Sequence, residues 1–286
     1  MTEPKINIGA RTAPGAGRID HDAAIAYALA TNDPNPVYLE GGAVPPLYTV
    51  SLTLPTLHEG SRMAVDPGAI AGVRGGVHGE HDVYFRHPLK PGAAVSWYGE
   101  TSGAVQTPAG VLVPQHIVVS DDEGPAVEHY WSTLYIGGQI PEPVLGEGLA
   151  DHLLPEEAKA RSLGTHTFHV SGDQSFRYAG ASTDHANMHV DDEAARQQGF
   201  PSKFMQGLCT FAMCSGAVVK LAAGGNPDRL RRLAGRFSSP VFPRNDLVVE
   251  VYDIGPGDNG LHHVGFEATS AGATVIKHGR AELLPS

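Results

Sequence analysis

The fold is decided by residues 207–223, which read 207-GLCTFAMCSGAVVKLAA-223. Leu208, Phe211, Val218 and Val219 are apolar, and Lys220 is the one charged side chain in the stretch. A helix that is apolar nearly all round has to be buried, because it has no face to offer to water. Residues 207–223 therefore predict a long helix with protein packed around it.

The chain repeats itself at an offset of about 151 residues, which is the first thing to look for in a sequence of this length. Two short motifs recur nearly in register, which indicates duplication of one module. They are Tyr27-Ala28 with Asp33 against Tyr178-Ala179 with Asp184, and residues 85–92 against residues 237–244 at an offset of 152.

Each half also contains runs rich in Val, Ile, Tyr and Phe, which predict β-strands. The counterpart of the central helix in the first half is residues 46–58, where Pro55 predicts an interruption. One buried helix wrapped by an antiparallel sheet, present twice, is an α+β fold of the double hotdog type. The predicted strands are residues 93–99, 110–119, 130–136, 247–254 and 262–268.

Residues 141–164 are rich in proline and glycine and are typical of a connection that crosses the surface. We therefore expect an N-terminal hotdog at residues 1–145, a linker at 146–165 and a C-terminal hotdog at 166–286.

Composition limits the possible partners. Of the 286 residues 41% are hydrophobic and the net charge is −11, and no run approaches the ~20 apolar residues of a membrane span. The acidic balance argues against nucleic acid, which needs a broad basic surface. Residues 1–18 lack the order of a secretory signal, so we expect a cytoplasmic protein. Cys209 and Cys214 are expected to be packed thiols without a bridge.

Asp184 and His189 place a carboxylate and an imidazole five residues apart on one turn. Such a pair can supply both a base and an acid near neutral pH, as the addition of water to a thioester-conjugated double bond, or its removal, requires. Gly207 opens the buried helix, where backbone N–H groups are unpaired and can receive an acyl oxygen that gains negative charge.

The segment that carries these residues resembles the MaoC-like, or hydratase 2, (R)-specific enoyl-CoA hydratases. The likeness extends to the first half through Val44-Pro45-Pro46, His78-Gly79-Glu80 and residues 85–92, so it covers most of the chain. In the second half it rests on Tyr178-Ala179, Ser182, Asp184, His189, Asp191, Gly199-Phe200-Pro201 and residues 207–211.

The resemblance implies that Asp184 and His189 activate one water, that the Gly207 amide polarises the thioester carbonyl, and that the first half shapes the acyl pocket. The first half has Tyr38 where the imidazole would stand. The substrate is then an acyl-CoA thioester, no separate cofactor or metal is expected, and a homodimer is plausible from the family alone. The candidate substrate-binding residues are Tyr178, Asn187, Phe200, Lys203, Gln206, Arg236, His78 and Glu80.

Several alternatives remain open. Asp184 could be an N-cap or Asx-turn residue, and His185 with His189 could chelate a metal, although no third ligand stands at a familiar spacing. Ala186 and Gln206 stand where the family has Asn and His, which would suit a non-catalytic acyl-CoA-binding subunit. A third hypothesis is a hotdog acyl-CoA thioesterase, in which Asp184 would activate water against the carbonyl carbon.

Overall fold

A computed structural model describes residues 3–285. Contacts divide the chain into two compact units. The first comprises the residues up to 17, residues 53–86 and residues 94–151, and the second comprises residues 18–52, residues 87–93 and the residues from 152 onward. Both units are discontinuous in sequence, and the predicted linker at 146–165 contains the 3₁₀ turn Glu156–Ala160. The division of the chain into 1–145 and 166–286 stays a prediction.

Helices and strands are mixed, as expected for the α+β class. The helices are α1 (His21–Ala30), α2 (Pro36–Leu39), α3 (Val50–Ala64), α4 (Gln174–Ser182), α5 (Asp192–Gln197) and α6 (Gly207–Ala222). The strands are β1 (Gly15–Arg18), β2 (Gly76–Phe85), β3 (Ala94–Thr101), β4 (Gly103–Thr107), β5 (Gly110–Asp121), β6 (Gly124–Ile136), β7 (Val144–Gly146), β8 (Ser162–His169), β9 (Leu230–Phe237), β10 (Asp246–Pro256), β11 (His262–Ser270) and β12 (Ala273–Leu283).

In the first unit, antiparallel strands follow the order β3-β5-β6-β2, and β4 pairs with β5 and β7. The strands predicted at 93–99, 110–119 and 130–136 are confirmed as β3, β5 and the second half of β6. Helix α3 packs on this sheet through Leu54 and Leu57, which meet Ile117 of β5 and Trp131 of β6. Burial of these side chains holds the helix on the sheet.

The interruption predicted at Pro55 is wrong, because α3 continues through it. A proline inside a helix cannot donate to the carbonyl four residues earlier, and it leaves that carbonyl without its helical partner. Here the freed carbonyl belongs to Ser51, and it accepts a hydrogen bond of 3.0 Å from the hydroxyl of Thr183. A side chain 132 residues away in sequence thus offsets part of the free energy that the helix loses at the proline.

The second unit has the strand order β9-β12-β11-β10-β8, also antiparallel. Helix α6 packs against β8, β9, β10 and β11, and twelve of its sixteen residues, Leu208 to Val219 without a gap, are buried. The buried helix predicted at 207–223 is therefore confirmed. The strands predicted at 247–254 and 262–268 are confirmed as β10 and β11.

Helices α1 and α4 carry the two copies of the Tyr-Ala motif and pack against each other in the second unit. The hydroxyls of Tyr27 and Tyr178 lie 3.4 Å apart, and their ring centroids are 5.7 Å apart. Equivalent residues of two copies meet in this way when they lie close to the axis that relates the copies. The contact supports the duplication inferred from the sequence.

Cys209 and Cys214 are both buried and unbridged, as expected. Within residues 3–285, every helix is too short or too polar to cross a bilayer.

Candidate active site

Asp184 lies on a tight turn that follows α4. Helix α4 ends at Thr183, whose φ of 62° places it in the left-handed region and turns the chain away from the helix. The carboxylate of Asp184 accepts the backbone N–H of Ala186 at 3.3 Å. This is an Asx turn, so one of the two structural alternatives for Asp184 is present, and the N-cap role falls to Asp191 at the start of α5. An Asx turn occupies only part of the acceptor capacity of a carboxylate.

The imidazole of His189 is fixed by a backbone carbonyl. Nδ1 lies 2.9 Å from the carbonyl oxygen of Phe204, and the ring meets the Phe204 ring edge to face at 4.8 Å. Because a carbonyl can only accept, Nδ1 carries the proton and Nε2 keeps its lone pair. The site therefore presents a nitrogen that can take up a proton.

Burial lowers the pKa of His189 below 6.5, while the hydrogen bond to Phe204 and the charge of Asp184 oppose the shift. The side chain is 5% exposed, so the neutral imidazole is the dominant form at neutral pH. The influence of Asp184 on this pKa indicates that the carboxylate and the imidazole are electrostatic neighbours.

Gly207 is the first residue of α6, so its backbone N–H is one of the orphan donors at a helix start. A Cβ at this position would lie 3.2 Å from the Phe237 ring. A side chain here would therefore press on the Phe237 ring of β9, and the close approach of a ligand to Gly207 stays a prediction.

Gln206 joins the Asp184 turn to the start of α6. Its side chain is fully buried, and Nε2 donates to the carbonyl oxygens of Ser175 at 3.0 Å and Asp184 at 3.3 Å. Two carbonyl acceptors orient the amide unambiguously, because the flipped amide would oppose oxygen to oxygen. Nε2 of Gln206 thus holds the Asp184 loop, and the contact between Gln206 and substrate stays a prediction.

The remaining candidates of this unit are placed around the same segment. Tyr178 is buried beside Tyr27, and the charge of Asp184 contributes to raising its pKa, after burial and the neighbouring Tyr27 and Cys209. Phe200 packs on Phe204 with ring centroids 4.2 Å apart. Asn187 is exposed and opens a 3₁₀ turn that ends at the buried His189.

Two cationic candidates differ in their surroundings. Lys203 forms an ion pair with Asp192 at 3.4 Å and lies 6.0 Å from the Phe176 ring. Arg236 lies on β9 opposite Lys277 of β12. Neither arrangement assigns the side chain to a phosphate.

His78 and Glu80 lie in the first unit, on β2. His78 stacks on Trp131 with centroids 3.7 Å apart, and Glu80 is 5% exposed. Within residues 3–285, no three His, Cys, Asp or Glu side chains cluster as metal ligands would.

Asp33, the first-half counterpart of Asp184, lies against α6. A Cβ on Gly216 would approach its Oδ2 to 2.8 Å, so the glycine makes room for the carboxyl group. Burial raises the pKa of Asp33 to about 6, against the opposing effects of the Asn35 N–H and Lys220. Tyr38 is buried with a raised pKa, to which Asp33 contributes after burial.

We expect Asp33→Asn to stabilise the protein above pH 6. The folded chain holds the Asp33 proton up to about pH 6 and the unfolded chain only to 3.8, so the carboxylate costs folding energy as the pH rises through that window. Two pKa units correspond to roughly 3 kcal/mol. Urea unfolding of wild type and Asp33→Asn at pH 4.5 and 8 measures the free energy of unfolding. The variant should be the more stable protein at pH 8, and the difference should become small at pH 4.5. A loss of stability at pH 8 contradicts the burial argument.

Comparisons with known proteins show a family similarity in the second half of the chain. Residues 156–270 match the family model described as MaoC like domain. The peroxisomal enoyl-CoA hydratase 2 of Arabidopsis thaliana is 35% identical over 71 residues, which cover 25% of this chain and 23% of that protein. The match thus spans less than a quarter of the relative's length.

Solved structures show the fold. A MaoC-like dehydratase from Phytophthora capsici superposes with a TM-score of 0.81 at 21% identity, covering 97% of both chains. A Mycobacterium tuberculosis protein described as having a double hotdog fold gives a TM-score of 0.61 at 13% identity, with 98% of this chain and 96% of that chain covered. The predicted double hotdog fold is therefore confirmed, and residues 156–270 are similar to the MaoC like domain.

Proposed function

We propose that the protein is an enoyl-CoA hydratase, or in reverse a 3-hydroxyacyl-CoA dehydratase, with Asp184 and His189 acting on one water. The observation that carries the proposal is the buried imidazole of His189, whose Nδ1 lies 2.9 Å from the Phe204 carbonyl oxygen, so that Nε2 keeps its lone pair. Asp184 acts electrostatically on the same imidazole. The hydratases and dehydratases among the relatives and neighbours support the reaction class.

The reaction needs one proton removed from water and one delivered to carbon. Nε2 of His189 and the Asp184 carboxylate take up the proton of the water whose oxygen bonds to the β-carbon. The α-carbon receives a proton from the same pair, so the carbon–carbon double bond becomes a single bond, one C–O and one C–H bond form, and the pair ends as it began. The N–H of Gly207 stabilises the thioester oxygen while it carries negative charge.

Crotonyl-CoA and longer trans-2-enoyl-CoAs are the test substrates. We expect the absorbance of the conjugated thioester to fall on addition of enzyme without release of free thiol. Release of CoA would instead identify a thioesterase, and tight binding without either change would identify a non-catalytic acyl-CoA-binding protein. Coupling the product to an (S)-specific 3-hydroxyacyl-CoA dehydrogenase tests the configuration, because an (R)-product yields no NADH.

We expect Gln206→Met to lower kcat by about 10- to 100-fold, with a smaller change in KM. Methionine preserves the volume but removes the donor that holds the Asp184 carbonyl, and a misplaced catalytic carboxylate costs this much. Steady-state kinetics and the melting temperature measure it, with the exposed Gln197→Met as the matched control. Equal kcat in wild type and Gln206→Met rules out a positioning role.

A further inference from the structure

A cavity lies in the second unit, along the C-terminal half of α6. Its volume is 650 Å³, within the range of small-molecule sites. Its wall is formed by residues 32–36 at the start of α2, residues 166–169 of β8, Arg177 of α4, Gly216 and Lys220 of α6, and Gly225. Neither Asp184, His189 nor Gly207 is part of this lining.

The cavity contains the side chain of Asp33, the first-half counterpart of Asp184. Asp33 is desolvated there, which disfavours its charged form, and Gly216 is the residue that leaves space for it. A buried carboxylate that costs stability is characteristic of ligand sites rather than of structural positions. Asp33 accepts the Asn35 N–H, and a carboxylate has further acceptor positions for a ligand donor.

Lys220 supplies the complementary charge. Its ammonium lies 3.3 Å from Nδ1 of His166, and the presence of Lys220 together with burial keeps the pKa of His166 below 6.5. The neutral imidazole therefore accepts one N–H from Lys220, and an ammonium has two more to offer. Arg177, by contrast, is occupied by Leu29, Asn32, Ser171 and Gln174.

These groups define the ligand. Lys220 offers charged donors that suit an anionic oxygen, Asp33 offers acceptors that suit hydroxyl groups, and Pro34, Pro36 and Phe168 give the wall an apolar part. A molecule with a phosphate, neighbouring hydroxyls and a flat ring matches all three. We propose that the Asp33–Lys220 cavity binds a nucleoside phosphate, either a free nucleotide or the nucleotide end of a CoA ester.

Calorimetric titration of the full chain with adenosine 3′,5′-bisphosphate and with AMP tests the proposal without any turnover. We expect binding tighter than about 1 mM and about tenfold weaker in Lys220→Gln. Lys159→Gln is the matched control, because it removes one positive charge from a residue outside the cavity lining. Asp33→Asn should also weaken binding while it raises stability, a combination that a structural role would not produce.

Two supporting outcomes distinguish the sources. If the ligand is the nucleotide end of the substrate, a case that rests on the proposed function, the bisphosphate competes with enoyl-CoA and Lys220→Gln raises KM while kcat stays unchanged. If it is a free nucleotide, AMP binds without competing. Absence of binding by both probes, or equal binding by Lys220→Gln and Lys159→Gln, overturns the proposal. An inactive wild type that still binds AMP refutes the hydratase function and leaves the cavity assignment standing.

Discussion

Replacing Asp184 by asparagine should lower kcat for hydration of an enoyl-CoA by about 10³-fold, within the range that general acid–base groups contribute. Asparagine keeps the size of the side chain and can still accept the N–H of Ala186, so the Asx turn survives. What is lost is the charge beside His189 and the ability to carry a proton. Stopped-assay or absorbance kinetics measure kcat, and circular dichroism confirms that the variant is folded.

The partner variant is His189→Asn. The asparagine amide can replace Nδ1 as the donor to the Phe204 carbonyl, but it has nothing in place of Nε2. We expect a loss of similar size, and the double variant should be little worse than either single one, since the two groups act as a unit. Asp246→Asn, an exposed carboxylate of the same unit that pairs with His169, is the control. Full activity in Asp184→Asn would contradict the mechanism.

How much of this site was predictable depends on the range of the interactions. The composition of residues 207–223 sufficed to predict a buried helix, because a helix with almost no polar face has to be buried. The spacing of Asp184 and His189 indicated acid–base chemistry in the same way. The tautomer of His189 could not be predicted, since the backbone carbonyl of Phe204 decides it. Every residue has such a carbonyl, so residue types do not show which one accepts from the imidazole.

For Pro55, a local rule gave the wrong prediction. Its effect on α3 was judged from local rules, which do not include the Thr183 hydroxyl that satisfies the Ser51 carbonyl. Gln206 is intermediate: its departure from the family pattern was visible in the sequence, but its bonds to Ser175 and Asp184 were not. The Tyr27–Tyr178 contact did have a sequence signal, because both residues occupy the same position in the two repeats.

Three histidines of the first unit should destabilise the protein in mild acid, since His81 and His129 are buried and His78 is half-buried. Burial lowers the pKa of His78 and His129 to about 3 and that of His81 well below 6.5, and Nε2 of His81 lies 3.0 Å from Nδ1 of His129. The unfolded chain takes up these protons below pH 6.5 while the folded chain does not. Stability is therefore present above pH 6.5 and is lost as the pH falls.

The size of the loss in stability follows from the uptake of one proton per histidine on unfolding. Each costs about 1.4 kcal/mol per pH unit below 6.5, so His78 and His129, with pKa values of about 3, together remove up to roughly 5 kcal/mol by pH 4.5, a large part of the total stability of a typical domain. His81 acts in the same direction. Urea midpoints between pH 7.5 and 4.5 measure the slope. His129→Gln should make the slope shallower by one proton whatever its own stability, whereas the exposed His185→Gln should leave it unchanged. A midpoint that stays flat down to pH 5 would mean that these imidazoles take up protons in the folded state.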